Sequence, residues 1–202
     1  MTEPEKTEPE SADLDLVQAE QIPLLLLHGF PLDASMWDDV VETLSFSGVP
    51  TLAVDAPGFG QSEVPDGEPS LDLAADAVLA TLDELGIGRV VVAGLSMGGY
   101  IALAFAQRYP ERVAGIALLD TKATADTDSA RANRLRIAQE ALGEAGAQAV
   151  APMLTALLGA TTLAGDPEVV DARQSWPAAA PPAGAAGAQR AMAARPDRQA
   201  GR

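Results

Sequence analysis

Ser96 stands between two glycines spaced for a sharp turn, in the run Val90-Val91-Val92-Ala93-Gly94-Leu95-Ser96-Met97-Gly98-Gly99-Tyr100. Apolar, β-branched residues lead in, and an alanine-rich, proline-free segment leads out to Tyr109 before Pro110 stops it. The pattern reads strand, turn, helix. So tight a turn strains the serine backbone and leaves no room for side chains two residues to either side, hence Gly94 and Gly98. Ser96 is thereby held clear of the sheet, and the helix that begins after it aims free N–H groups at the same point. The Met97 amide is placed to receive the negative charge that develops on an attacked carbonyl. The chemistry is nucleophilic attack by a hydroxyl. A glycine-rich turn that merely contained a serine would not need a strand before it and a helix after it, and both are present.

The remaining inventory for chemistry is thin. The 202 residues include no cysteine and one histidine, His28, which excludes disulfides, thiol catalysis and zinc sites built from Cys/His clusters. No metal and no organic cofactor is implied; any reaction must rest on hydroxyls, carboxylates and backbone dipoles. A net charge of -16 repels phosphate backbones and anionic lipid, so neither nucleic acid nor membrane partners are expected. No apolar run approaches the length of a bilayer span, and the N-terminus is acidic where a secretory signal would be basic and then apolar. A cytoplasmic location is the expectation.

The elements that must position Ser96 alternate along the chain. Residues 22–27 form a continuous apolar run, as in a strand buried on both faces, and end in His28-Gly29-Phe30-Pro31. Asp33 caps a helix whose Trp37, Val40, Val41 and Leu44 share a stripe. A second buried strand over 51–54 ends in Asp55-Ala56-Pro57-Gly58-Phe59-Gly60-Gln61-Ser62. Ser70 then caps a helix in which Leu71, Ala75, Val78, Leu82 and Leu85 face inward. A strand over 113–119, ending at Asp120, follows the serine helix. Strands alternating with amphipathic helices at short spacing give a parallel, doubly wound sheet, whose ligands sit at the carboxyl ends of the strands. His28, Asp55, Ser96 and Asp120 all fall at such ends.

Beyond residue 123 helices follow one another without strands. Leu135, Ala138 and Leu142 point inward while Arg131, Arg134 and Arg136 face solvent; Val150, Met153, Leu154, Leu157 and Leu158 make another stripe; Asp166-Pro167 begins a third helix. The expected organisation is a disordered acidic segment over residues 1–12, a core over 13–122 with a short edge strand at 13–18, a helical lid over 123–176 and an Ala/Pro/Gly-rich, largely disordered tail over 177–202.

Three ordered motifs resemble those of the α/β-hydrolase superfamily. His28-Gly29-Phe30-Pro31-Leu32-Asp33 with Trp37 is similar to its oxyanion-loop segment, residues 55–62 to its Asp-x-x-Gly-x-Gly-x-Ser turn, and Gly94-Leu95-Ser96-Met97-Gly98-Gly99 to its nucleophile elbow. Leu118-Leu119-Asp120-Thr121 and the helices after it resemble the bacterial lactonase, esterase and haloperoxidase-like branch, including the enol-lactone hydrolases. The resemblance covers roughly residues 20 to 198. It implies an α/β fold with a parallel doubly wound sheet and helical lid, and a cofactor-free hydrolase of small esters or lactones. Ser96 would be the nucleophile, the Phe30 and Met97 amides the oxyanion hole, and His28, Gly29, Gly94 and Gly98 the residues that shape its loops.

One departure qualifies what the resemblance implies. Family members continue past the lid into two more strands whose loops deliver an Asp and then a His; here the sequence ends at Arg202 with no histidine after His28. The expectation is a chain without its C-terminal strands and catalytically impaired, with one sheet edge open to self-association. The alternative is a non-catalytic protein of this fold that binds a small molecule or pairs with another chain.

Overall fold

The computed structural model describes residues 21–166, 168, 170 and 181–199. The expected disordered segment at 1–12 and edge strand at 13–18 lie outside them, as does most of the helix expected from Asp166. Four parallel strands make one sheet: β1 (Leu24–Leu27), β2 (Thr51–Val54), β3 (Val90–Leu95) and β4 (Val113–Leu119), in the order β2-β1-β3-β4. The apolar runs of β1 and β3 take the two central positions because only there are both faces covered. Leu25, Leu26 and Leu27 are at most 3% exposed, and Val90 and Val92 are fully buried.

Strand order decides where the functional rim lies. The chain steps from β1 out to β2, then returns past β1 to β3 on its other side. The loops leaving β1 and β3 therefore diverge to opposite faces and leave a crevice between them. In register Leu27 lies opposite Gly94, so the segment from His28 to Phe30 and the segment from Leu95 to Met97 emerge side by side.

The helices cover the sheet largely as the stripes foretell. Ser70 accepts a hydrogen bond from Leu73 N–H at 3.0 Å to cap α2 (Leu71–Glu84), which buries Leu71, Ala74, Ala75, Val78 and Leu82. Leu85 instead lies exposed past its end. Asp33 caps a 3-10 turn, Ala34–Trp37, rather than the helix itself; α1 (Asp38–Phe46) follows and buries no residue fully, although Trp37 is buried. The helix after Ser96 is α3 (Met97–Arg108), buried along most of its length.

Two expectations about the later helices are corrected. In α4 (Asp128–Leu142) the buried face is Ile137, Ala138 and Ala141, whereas Leu135 and Leu142 are exposed and Arg134 turns inward to Asp126 at 2.7 Å. After α5 (Ala151–Ala156) and α6 (Ala160–Gly165), the supposedly disordered tail forms α7 (Pro182–Ala193), packed along α4. Ala185, Ala186 and Met192 are at most 2% exposed. The physical reason is the same in both helices. Small residues let α4 and α7 approach closely, and Gly184 of α7 comes so near Gly58 that a Cβ at Gly184 would lie 2.0 Å from the Gly58 carbonyl oxygen. A composition that suggests disorder is here a close-packing device.

Arginines fasten the segment after α7. Arg195 Nη2 donates to Asp126 Oδ1 at 2.6 Å, Arg195 Nε to the Thr124 carbonyl at 3.1 Å, and its guanidinium lies 4.1 Å from the Tyr100 ring centroid. Arg198 pairs with Asp72 of α2 at 2.6 Å, and its backbone N–H donates to Ala123 C=O. At the sheet's other margin, β4 has no strand beyond it among the described residues, and Ile116, Leu118 and Leu119 are 43%, 45% and 39% exposed.

Candidate active site

Ser96 occupies the end of β3 with φ 50° and ψ -107°, one of two non-glycine residues with positive φ among those described. Such a conformation costs about 1–3 kcal/mol and persists only when its surroundings impose it. Here β4 does so: Ser96 N–H donates to Leu119 C=O at 2.9 Å, and Thr121 Oγ1 donates to Ser96 C=O at 2.8 Å. The other positive-φ residue, Asp120 at 41°, lies between those two clamps. Ser96 is half-buried, and its hydroxyl makes no hydrogen bond among the described residues.

The glycines are required by close approach. A Cβ at Gly94 would lie 2.3 Å from the Gly98 carbonyl carbon, across the turn as the motif suggests. At Gly98 the obstacle is a different strand: a Cβ there would lie 2.2 Å from Leu27 O and 2.8 Å from His28 O. The start of α3 therefore rests on the backbone at the end of β1. Gly29 is less constrained, since its Cβ would come no nearer to a neighbour than 3.3 Å, to Leu95 Cδ2.

Two amides in the segments that follow β1 and β3 lack hydrogen-bond partners among the described residues. Met97 opens α3, and Phe30 lies in the turn closed by Leu32 N–H to Gly29 C=O at 2.9 Å. Neither N–H donates a hydrogen bond among the described residues. Phe30 is held by edge-on packing against Phe59, with ring centroids 6.0 Å apart.

His28 lies beneath this loop, 1% exposed, and both ring nitrogens are occupied. Nε2 accepts from Ala56 N–H at 2.9 Å, which leaves the proton on Nδ1, 3.1 Å from Gly29 C=O. Burial pushes this imidazole below its ordinary value, against weaker upward pulls from the Gly29 carbonyl and from Asp55 and Asp33. His28 ties the β1 loop to the β2 loop and packs on Phe59, ring centroids 5.4 Å apart.

Asp55 is a positioning residue, a role its place at a strand end does not by itself specify. Its carboxylate accepts from Ala34 N–H at 2.7 Å and from Gln61 N–H at 2.8 Å, clamping the Phe30 loop to the Gly58–Gly60 turn. Gly60, at φ 51°, has no room for a side chain because a Cβ would lie 2.2 Å from that carboxylate. The signal was present in the Asp-x-x-Gly-x-Gly spacing, but its backbone partners come from a distant loop. An apolar hollow lined by Phe59, Val64, Met97, Ile101, Gly187 and Ala191 adjoins Met97 beneath α7. Among the described residues no cluster of His, Asp or Glu is arranged to hold a metal ion, and no helix is long and apolar enough to cross a membrane.

Comparison with known proteins agrees with this geometry. The sequence matches the family profile for the alpha/beta hydrolase fold over residues 22–199. It is 43% identical over 101 residues to a 2-hydroxy-6-oxononadienedioate/2-hydroxy-6-oxononatrienedioate hydrolase from Burkholderia vietnamiensis, a match covering 48% of this chain and 35% of that protein. A putative non-heme haloperoxidase from Mycobacterium phage D29 is 39% identical over 102 residues, covering 50% of this chain and 36% of that protein. Among solved structures, a thermophilic esterase from Thermogutta terrifontis superposes with a TM-score of 0.81 at 39% identity, covering 87% of this chain and 65% of that one. The enol-lactonase from Burkholderia xenovorans gives 0.77 at 29% identity, covering 87% and 66%. The matches thus span about a third of the curated relatives' length and about two thirds of the solved chains.

Proposed function

The chain belongs to the alpha/beta hydrolase fold family, and on that premise we propose that it carries the acyl-transfer half of a serine hydrolase for small esters or lactones, with the proton-transfer half disabled. One observation carries this assignment: a strained, half-buried Ser96 with an unengaged hydroxyl stands directly before α3, whose first amide, Met97, is unpartnered among the described residues, as is the Phe30 amide on the loop after β1, the strand paired with β3. In the reaction, Ser96 Oγ bonds to the ester carbonyl carbon, and the carbonyl oxygen takes the electron pair. The two amides stabilise that oxyanion until the alkoxide leaves and an acyl-serine forms. Water then attacks the acyl group by the same route. The apolar hollow beside Met97 suits a small hydrocarbon substituent.

Each step needs a base for the attacking hydroxyl's proton. The only histidine holds one N–H bond and donates another, so no lone pair is free to accept from Ser96. Losing the base from a serine hydrolase costs about a millionfold in turnover, roughly 8 kcal/mol. What remains is on the order of a thousandfold over water, from the oxyanion hole and binding. His28's occupied nitrogens equally favour a second reading, a non-catalytic member of the family that binds a small molecule or pairs with another chain.

The test supplies the proton-transfer half. Fusing a carboxyl-terminal segment with the family's Asp- and His-bearing strands, or adding it as a separate chain, is expected to raise activated-ester turnover by several orders of magnitude. That turnover should require Ser96 and follow a group titrating near neutrality. A folded fusion that gained nothing would favour the non-catalytic reading.

A further inference from the structure

We propose that Gly187 is a specificity-determining residue: it keeps open the apolar hollow beneath α7 for an uncharged aliphatic chain, the hydrocarbon substituent of the ester. That the chain belongs to an ester rests on the reading of Ser96 given above; its binding does not. With its open mouth the hollow measures about 490 Å³, within the roughly 300–1,000 Å³ of small-molecule pockets. Its walls are the loop after β2, the start of α2, the first turns of α3 and one face of α7. Gly184, Gly187, Ala188 and Ala191 recur at helical spacing and form that face. The two glycines in it have different reasons. A Cβ at Gly184 would lie 2.0 Å from the Gly58 carbonyl oxygen, so packing demands a glycine there. A Cβ at Gly187 would come no nearer than 3.5 Å, to Pro69 Cγ, which is ordinary contact, and the backbone of Gly187 is not left-handed. Glycine inside a helix is less stable than alanine at the same place. At Gly187 neither packing nor backbone requires it, and what the absent side chain leaves is space between α7 and Pro69, the facing wall.

The lining selects against charge. No Asp, Glu, Lys, Arg or His faces the hollow, and the oxygen of its one polar side chain, Ser70, accepts from Leu73 N–H at 3.0 Å. A carboxylate entering it would shed water and meet no cation. The arginines that follow α7 are held elsewhere, Arg195 by Asp126 and Arg198 by Asp72, each at 2.6 Å. On the α3 side the wall is Met97 and Ile101, one helical turn apart, and Met97 directly follows Ser96. A hydrocarbon chain lying against Met97 is thereby next to the nucleophile. A side chain added at Gly187 grows from α7 toward Pro69 and shortens the space left for that chain.

The probes are hexan-1-ol and hexanoate, titrated by NMR into the whole chain with isotopically labelled methionine methyl groups, at a pH where hexanoate is ionised; the Met97 signal is assigned through Met97→Leu. Hexan-1-ol is expected to shift the Met97 methyl signal saturably, and hexanoate to bind at least about tenfold more weakly. Gly187→Leu should abolish the response with circular dichroism unchanged. Gly187→Ala, the milder variant, should raise the melting temperature by about 1–4 °C while weakening hexan-1-ol binding about fourfold, the worth of one buried methylene. Hexan-1-ol offers Ser96 no bond to break, so the result is independent of turnover. A Met97 signal that hexan-1-ol leaves unmoved, hexanoate binding as tightly as hexan-1-ol, a folded Gly187→Leu that still responds, or a Gly187→Ala that melts lower or keeps full affinity would each overturn the proposal.

Discussion

Replacing Arg195 by alanine tests whether the carboxyl-terminal helix is an integral part of the fold. Its guanidinium lies 3% exposed against Asp126, itself 1% exposed, bonds the Thr124 and Met192 carbonyls, and stacks on Tyr100 at the first turn of α3. Removing one partner of a buried ion pair costs about 3–5 kcal/mol when the other is left uncompensated. Asp126 keeps Arg134 at 2.7 Å and Lys122 at 3.5 Å, which lowers the expected loss to about 2–4 kcal/mol. Hydrogen bonds to two buried or part-buried carbonyls and a cation–π contact are lost as well, which places the variant toward the upper end of that range. For a chain of this size, that is a fall in melting temperature of about 6–12 °C. Urea unfolding gives the free energy, and limited proteolysis between residues 181 and 199 reports whether α7 detaches first. Arg131→Ala, on the exposed side of α4, is the control and should change stability by less than about 0.5 kcal/mol. If Arg195→Ala proved as silent as Arg131→Ala, with unchanged proteolysis, α7 would not be anchored as described.

Two further perturbations follow from the site. Gly98→Ala forces a methyl to within 2.2 Å of the Leu27 carbonyl oxygen and should destabilise by about 3 kcal/mol or more, while Gly29→Ala, whose nearest neighbour is a movable leucine methyl, should cost under about 1 kcal/mol by urea unfolding. Acid should weaken the fold in two steps. His28 is depressed by burial, so the unfolded chain takes up its proton first and stability falls as pH drops below about 6.5. Burial opposes ionisation of Asp126, but hydrogen bonds from Arg195 and Arg134 outweigh it and hold its carboxyl below the usual range; its contribution is present above about pH 4 and lost as pH falls further. Melting temperatures from pH 8 to pH 3 in His28→Gln should lack the first step.

Much of the framework was legible because its signals are local. Residues 51–54 and 113–119 form strands with the bounds their apolar runs suggest, and the turn around Ser96 follows from residue types within a few positions. What escaped the sequence depends on partners far along the chain. The 182–193 helix hides in an alanine- and glycine-rich composition, and its burial comes from α4 and Gly58 rather than from large apolar side chains. The inward turn of Arg134 and the outward turn of Leu135 follow from the position of Asp126 and α7, which periodicity within α4 does not specify. His28 and Asp55 stood out as residues at strand ends, but that they bind neighbouring loops depends on hydrogen bonds to Ala56, Ala34 and Gln61.

The central claim, a prepared serine without a base, is tested most directly by comparing hydrolysis of an activated aryl ester by the 202-residue chain and by its Ser96→Ala variant. Attack by a hydroxyl that nothing deprotonates predicts rates for the two that differ by less than about tenfold, both within about a thousandfold of the uncatalysed reaction. Ser96-dependent turnover at the rates of ordinary hydrolases, about 1 per second or more, would contradict it and require that a group other than the fully engaged His28 takes the serine proton.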